Sequence, residues 1–271
     1  MPAAAFFDLD RTLMAGSSGL HWGRAAYGAR LISLPQIISW TWDGLRFRLR
    51  GATDAQTQAL LEQINETLAG ISRTETVRLA PEVLAGILPR IYPQMLDEVR
   101  RHQDAGRATF IVSAASNALV EILAQVLAMD GGIGTRYEID ADDRFTGQLD
   151  GPFIYGEGKV VAMRRYASSH DIDLDASWAY SDSASDEPML RVVGHPVAVN
   201  PDPELARIAV EEGWEVQRFE KLGRRLAIVA TTVLVGAVGG SGTWLALRRR
   251  PYRYRISRRL GFGGTLRQLR G

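Results

Sequence analysis

Two aspartates, Asp8 and Asp10, stand one residue apart at the end of an apolar run, AFFDLDRTL. In an extended chain residues two apart share a face, so both carboxylates are expected to be presented together. At about 5 Å and an effective dielectric of about 20, their repulsion is roughly 3 kcal/mol. A bound cation, a shared proton or exposure to water would offset it. Further along, the run ATFIVS ends in Ser113, WAYSDSASDEP carries Asp182 and Asp186, and Lys159 heads a helical segment after YGEG. If the apolar runs are parallel strands, their carboxyl ends converge, because ligands of open α/β sheets bind there. Four carboxylates, a hydroxyl and an ammonium would then meet, a set suited to handling an anion together with a cation.

The elements that must position these groups follow from the apolar pattern. After the first strand, residues 15–89 read as helical, with segments Leu20–Ile32, Leu34–Leu49, Thr53–Leu68 and Thr74–Leu88 separated by Gly51 with Asp54 and by Gly70 with Ser72. From Tyr92 onward helices alternate with short apolar runs, interrupted by a hairpin within GIGTRYEIDADDRFTGQL, and a last strand in WEVQRF closes the series. That alternation predicts an α/β fold with a parallel sheet covered on both faces. The helical stretch after the first strand is too long for an ordinary connection and reads as an insertion.

Composition divides the 271 residues unevenly. There is no Cys, which excludes disulfides and thiolate chemistry. Residues 221–271 hold twelve Lys and Arg and no acidic residue, leaving 20 basic against 31 acidic residues in 1–220, a net of −11. Between body and tail lies Leu226–Leu247, 22 residues without a charge, flanked by Lys221, Arg224 and Arg225 and by Arg248, Arg249 and Arg250. As a helix it would extend about 33 Å, enough for a hydrocarbon core of about 30 Å, and it is expected to be a single transmembrane helix. No cleavable leader is read at the N-terminus, so the body is expected to be cytoplasmic, although the nine Arg between Arg248 and Arg270 run against the positive-inside rule for an exported tail.

The ordered set Asp8-Leu9-Asp10-Arg11-Thr12, Ser113 in IVS, Lys159 in GEGK, and Asp182 and Asp186 in DSASDEPML resembles the haloacid-dehalogenase-like (HAD) phosphatases of subfamily IB, the group of phosphoserine phosphatase. The resemblance covers roughly residues 4–220 and implies a Rossmann-like core, residues 1–14 and 90–220, with an inserted helical cap, residues 15–89, followed by the transmembrane segment 226–247 and the basic tail 248–271. It implies Mg2+ as cofactor and an aspartyl-phosphate mechanism. Asp8 is the implied nucleophile and Asp10 the general acid/base. Lys159 and Ser113 are implied to hold the phosphoryl oxygens, and Asp8, the Asp10 carbonyl, Asp182 and Asp186 to serve the metal. Arg11 is expected to face solvent or a neighbouring loop. His21, His102, His170 and His195 show no ligand spacing, and of these His21 is best placed to face substrate.

Two departures from the resemblance matter. Ser181, Ser183 and Ser185 stand where phosphoserine phosphatases have Gly, Gly and Asn. The Glu that meets the substrate amine shortly after the first motif is missing from LMAGSSGLHWGR. The expected activity is therefore hydrolysis of a phosphomonoester other than phosphoserine. The expected partner is a phosphorylated small molecule or lipid headgroup, with attachment to the membrane through the C-terminal segment and no nucleic acid. Arg46, Arg48 and Arg50 beside Trp40 and Trp42 would suit an anionic lipid surface. The alternatives are a phosphoserine phosphatase, a phosphotransferase with the same site, or a membrane-tethered binding protein with an inactive site.

Overall fold

The strand that carries Asp8 is buried along its whole length. This strand, β1 (Ala4–Asp8), is apolar on both faces up to its last residue, as a central parallel strand must be when helices cover both sides. The chain is described from a computed structural model, which describes residues 1–33 and 54–219. β1 pairs in parallel with β2 (Ala108–Ser116), Asp8 lying opposite Val112, and with β6 (Trp178–Ser181), Phe7 lying opposite Tyr180. The sheet is completed by β3 (Gly131–Thr135) beyond β2 and by β7 (His195–Val199) and β8 (Glu215–Gln217) beyond β6, in the order β3-β2-β1-β6-β7-β8. Strand order reverses between β1 and β6, so the crevice at a topological switch point opens at the carboxyl ends of those two strands.

Side-chain alternation along β1 splits the core into two layers. Phe7 stacks on Tyr180 at 4.5 Å and belongs with Leu9, Met14, Ile111 and Leu123. Phe6 stacks on Phe110 at 5.5 Å and belongs with Met163, Ala179 and Leu190. The covering helices are α5 (Pro93–Asp104), α6 (Asn117–Val126), α7 (Glu157–Ser169), α8 (Glu187–Arg191) and α9 (Pro203–Glu212).

Between β1 and α5 come α1 (Ser18–Gly28), α2 (Asp54–Leu68), α3 (Arg73–Arg78) and α4 (Ala80–Ile87). The helix read at Thr74–Leu88 is thus two, parted at Leu79. Pro81 has no N–H to give the carbonyl of Val77, so one continuous helix would lose a bond there. The segment read as Leu34–Leu49, and the transmembrane segment Leu226–Leu247 with its basic tail, lie outside the described residues. Among the described residues no helix is long and apolar enough to cross a membrane.

The hairpin of β4 (Tyr137–Ile139) and β5 (Phe145–Leu149) grips the corner between α2 and α3. Gly70 N donates to Phe145 O and Phe145 N to Ile71 O, at 2.8 and 3.0 Å. The Asp143 carboxylate accepts from Arg73 Nε at 2.7 Å and from Thr74 Oγ1 at 2.6 Å.

Below the sheet, Arg107 Nε donates to His102 Nδ1 at 2.8 Å, which leaves the Nε2 hydrogen to meet Tyr180 Oη at 2.7 Å. His102 is 1% exposed. Burial, and then Arg107 and Arg101, push its pKa from 6.5 down to about 4. Because the folded value is depressed, the associated stability is complete above about pH 6.5 and is lost as the pH falls through about 4. Acidification across that window is expected to cost the wild type on the order of 3 kcal/mol more than His102→Gln, measured as urea unfolding free energy against pH. Parallel curves for the two proteins would contradict it.

Candidate active site

β1 ends at Asp8, and the chain turns at once: Leu13 N donates to the carbonyls of Asp8 and Leu9, at 3.2 and 3.1 Å, and Arg11 takes a left-handed φ of 65°. The expectation that Asp8 and Asp10 share one strand face is therefore corrected, since Asp10 already lies in the turn. Its carboxylate accepts from Ser18 N at 2.8 Å and from Ser17 Oγ at 2.9 Å, which ties it to the start of α1. Each aspartate has its own donors, although Asp10 still helps to raise the Asp8 pKa.

Asp8 faces Lys159. The Lys159 ammonium lies 2.6 Å from Asp8 Oδ1 and 2.7 Å from Asp186 Oδ2, and all three residues are buried, Lys159 being 2% exposed. Local backbone brings the lysine here. Gly156 has a φ of 51°, and a Cβ on Gly158 would sit 1.8 Å from the Phe153 carbonyl, so the turn into α7 closes only with glycine at 158. Burial drives the Asp8 pKa up, against the pull of Lys159, to about 7. Burial alone would lower Lys159, but Asp186 and Asp8 more than offset it, and the ammonium stays charged.

Asp182 follows β6 directly and is 3% exposed. Its Oδ2 lies 2.9 Å from Arg11 Nη1, an ion pair without hydrogen-bond alignment, so this buried oxygen accepts from no donor in line. Burial raises the Asp182 pKa to about 8, although Arg11 pulls it down. Arg11, expected to face solvent or a neighbouring loop, instead pairs with Asp182 in the site. Ser181 Oγ, also missed from sequence as a site group, donates to Asp186 Oδ2 at 2.7 Å. Its sequence signals were its place beside Asp182 and its standing where the resemblance has Gly.

Ser113 follows Val112, the register partner of Asp8, and is 4% exposed. It is not the end of its strand: β2 continues to Ser116, with a register shift against β3 between Val112 and Ser116. Its Oγ accepts from Ala115 N at 3.2 Å, which leaves the O–H free to donate. The structure thus brings Asp8, Lys159 and Asp186 into direct contact, sets Asp182 just past the end of β6 and Ser113 within β2 next to the register partner of Asp8, and holds Asp10 toward α1. His21 packs on Gly86 of α4, its pKa lowered by burial and by Arg90.

Among the described residues no group of three or more His, Asp and Glu forms a ready metal cage. Mg2+ does not require one, because it takes one or two carboxylates together with water and substrate oxygens. A buried Asp8 beside an Asp182 oxygen that lacks an aligned donor is an oxygen-only set that fits such an ion.

A model of the haloacid dehalogenase-like hydrolase family matches residues 5–191. A phosphoserine phosphatase of Mycobacterium tuberculosis is 34% identical over 253 residues, spanning 92% of this chain and 82% of that protein. A histidinol-phosphatase of Neisseria meningitidis is 31% identical over 224 residues, spanning 81% of this chain and 100% of that one. The crystal structure of a Bordetella pertussis protein of unknown function superposes with a TM-score of 0.69 at 30% identity, covering 80% of this chain and 98% of that chain.

Proposed function

The chain belongs to the haloacid dehalogenase-like hydrolases and is a phosphatase, and we propose that it is a Mg2+-dependent phosphomonoesterase working through an aspartyl-phosphate on Asp8. The observation that carries this reading is the buried contact of Asp8 with Lys159 at the switch point of the sheet. An Asp8 oxygen attacks phosphorus as the ester P–O bond breaks, and Asp10 protonates the departing alkoxide. Water then attacks the same phosphorus while Asp10 takes its proton, the P–O bond to Asp8 breaks, and phosphate leaves with Asp8 restored. Lys159 and Ser113 hold the phosphoryl oxygens throughout. Asp8, the Asp10 carbonyl and Asp182 would hold Mg2+, with Asp186 behind them, and the ion supplies positive charge to the phosphoryl oxygens when bound. That same charge favours the ionised form of Asp8, which burial opposes.

The helices between β1 and α5 would serve as the cap that excludes water and selects the leaving group. In this reading the Leu226–Leu247 segment tethers the enzyme to a membrane as a single span, with the catalytic body in the cytoplasm, and the substrate carries a lipid-derived or glycerol-type leaving group. The missing acidic partner for an amine supports that choice over phosphoserine. The second reading, phosphoserine as substrate, is favoured by the name of the 34%-identical relative from M. tuberculosis.

One assay separates them. Chelation is expected to remove activity, Mg2+ to restore it, and Ca2+, with longer and looser coordination, to restore little. With Mg2+ present, kcat/KM for glycerol phosphate or a phosphorylated lipid headgroup is expected to exceed that for phosphoserine. Phosphoserine as the best substrate would establish the second reading, and full activity in chelator would defeat the metal requirement.

A further inference from the structure

Asp186 is reached from two directions. Its Oδ2 accepts from Lys159 Nζ at 2.7 Å and from Ser181 Oγ at 2.7 Å. Ser181 is the last residue of β6, is 0% exposed, and pairs in register with Ala198 of β7, so the sheet fixes where its hydroxyl stands. The same oxygen accepts from Ser183 N at 3.3 Å, which turns the O–H hydrogen toward Asp186. The loop between them is pinned by Asp202, the N-cap of α9. Asp202 accepts from Ala184 N at 3.1 Å and from Leu205 N at 2.8 Å, and its own N–H donates to the Asp182 carbonyl at 2.8 Å. Apart from the long bond from Ser183 N to Ser181 Oγ, these contacts hold the backbone from Asp182 to Asp186 without Ser181. The torsion of the Asp186 carboxylate remains to be set by its two donors.

We propose that Ser181 is a positioning residue for the phosphatase reaction: its hydroxyl, placed by β6, holds the Asp186 carboxylate turned toward Lys159 and through it sets the ammonium against Asp8. The inference rests on the phosphatase reading above. Without the hydroxyl, Asp186 Oδ2 keeps, among the described residues, the flexible Lys159 as its side-chain donor. One carboxylate torsion is freed, because a water in the space left by the hydroxyl would not be fixed by β6 as the serine is. Lys159 then follows Asp186 as readily as Asp8. The loss falls on the alignment of charge at phosphorus rather than on substrate binding.

The test compares wild type, Ser181→Ala and Ser181→Thr, the last retaining a hydroxyl on the same β-carbon. A hydrogen bond to a charged group corresponds to a loss of about ten- to a hundredfold in kcat for Ser181→Ala. KM is expected to stay within about twofold, the melting temperature within about 3 °C, and Ser181→Thr to recover most of kcat. A Ser181→Ala protein with kcat within about twofold of wild type overturns the proposal. So does a fall in kcat accompanied by a melting temperature lower by more than about 5 °C, which marks a merely structural role. If wild type itself hydrolyses no phosphomonoester, the phosphatase reading falls as well; an active wild type with an equally active Ser181→Ala removes only the positioning role.

Discussion

Asp8→Asn is expected to lower phosphomonoester turnover by at least about a thousandfold while leaving the protein folded. An amide oxygen does not become an acyl-phosphate, and no neighbouring carboxylate can take the position, because Asp186 is held by Lys159 and Ser181 and Asp182 faces Arg11. The fold should not suffer. Asp8 has its pKa raised from 3.8 to about 7, chiefly by burial. A raised folded value means that its contribution to stability is complete below 3.8 and is lost as the pH rises through about 7. At pH 8 the ionised Asp8 therefore works against folding, and asparagine, buried without charge, relieves it. Lys159 keeps Asp186 as a partner at 2.7 Å. In metal-free buffer at pH 8 the variant is expected to melt no lower than wild type, read by calorimetry beside a steady-state assay. Wild-type turnover in pure Asp8→Asn protein would remove Asp8 as nucleophile.

The sequence disclosed what depends on periodicity and strand ends. A parallel strand buried on both faces must read as an unbroken apolar run, so β1, β2 and β6 were visible, as were the polar residues that close or follow them. Lys159 was legible because glycines 156 and 158 announce a tight turn into a helix. What stayed hidden depends on backbone torsion and on distant partners. Nothing in DLDRTL says that Arg11 adopts a φ of 65° and reaches Asp182, or that the chain leaves the strand at Asp8 and carries Asp10 toward Ser17 and Ser18. The serines at 181, 183 and 185 looked like departures from a glycine-rich loop. In the fold they bond among themselves, Ser183 Oγ to Ser185 Oγ at 3.0 Å, and supply a donor to Asp186. The grip of Asp143 on Arg73 and Thr74, across some seventy residues, has no local signature at all.

Lys159→Met is expected to damage stability and catalysis together, in contrast to Asp8→Asn. The ammonium is 2% exposed and lies 2.6 and 2.7 Å from two carboxylates that are themselves buried. Methionine matches the length and bulk of the lysine stem, so packing is preserved and the change isolates the charge. Two carboxylates are then left in a site without their cation. Removing one partner of a buried ion pair typically costs about 3–5 kcal/mol, and the melting temperature should fall by roughly 10 °C for a body of this size. Protonation of Asp8, whose pKa burial raises to about 7, would limit that loss, so the destabilisation should be smaller at pH 5 than at pH 8. Turnover should fall at least about a hundredfold even at temperatures where the variant is folded, because the ammonium's share of the positive charge at the phosphoryl oxygens is gone. Adding Asp186→Asn to Lys159→Met removes one of the stranded carboxylates, and the pair should recover part of the stability without recovering activity, a coupling that a double-mutant cycle measures directly. A Lys159→Met protein that melts within about 2 °C of wild type at pH 8 would mean that the ammonium does not hold the two aspartates in place, and the geometry assigned to Asp8 would lose its main support.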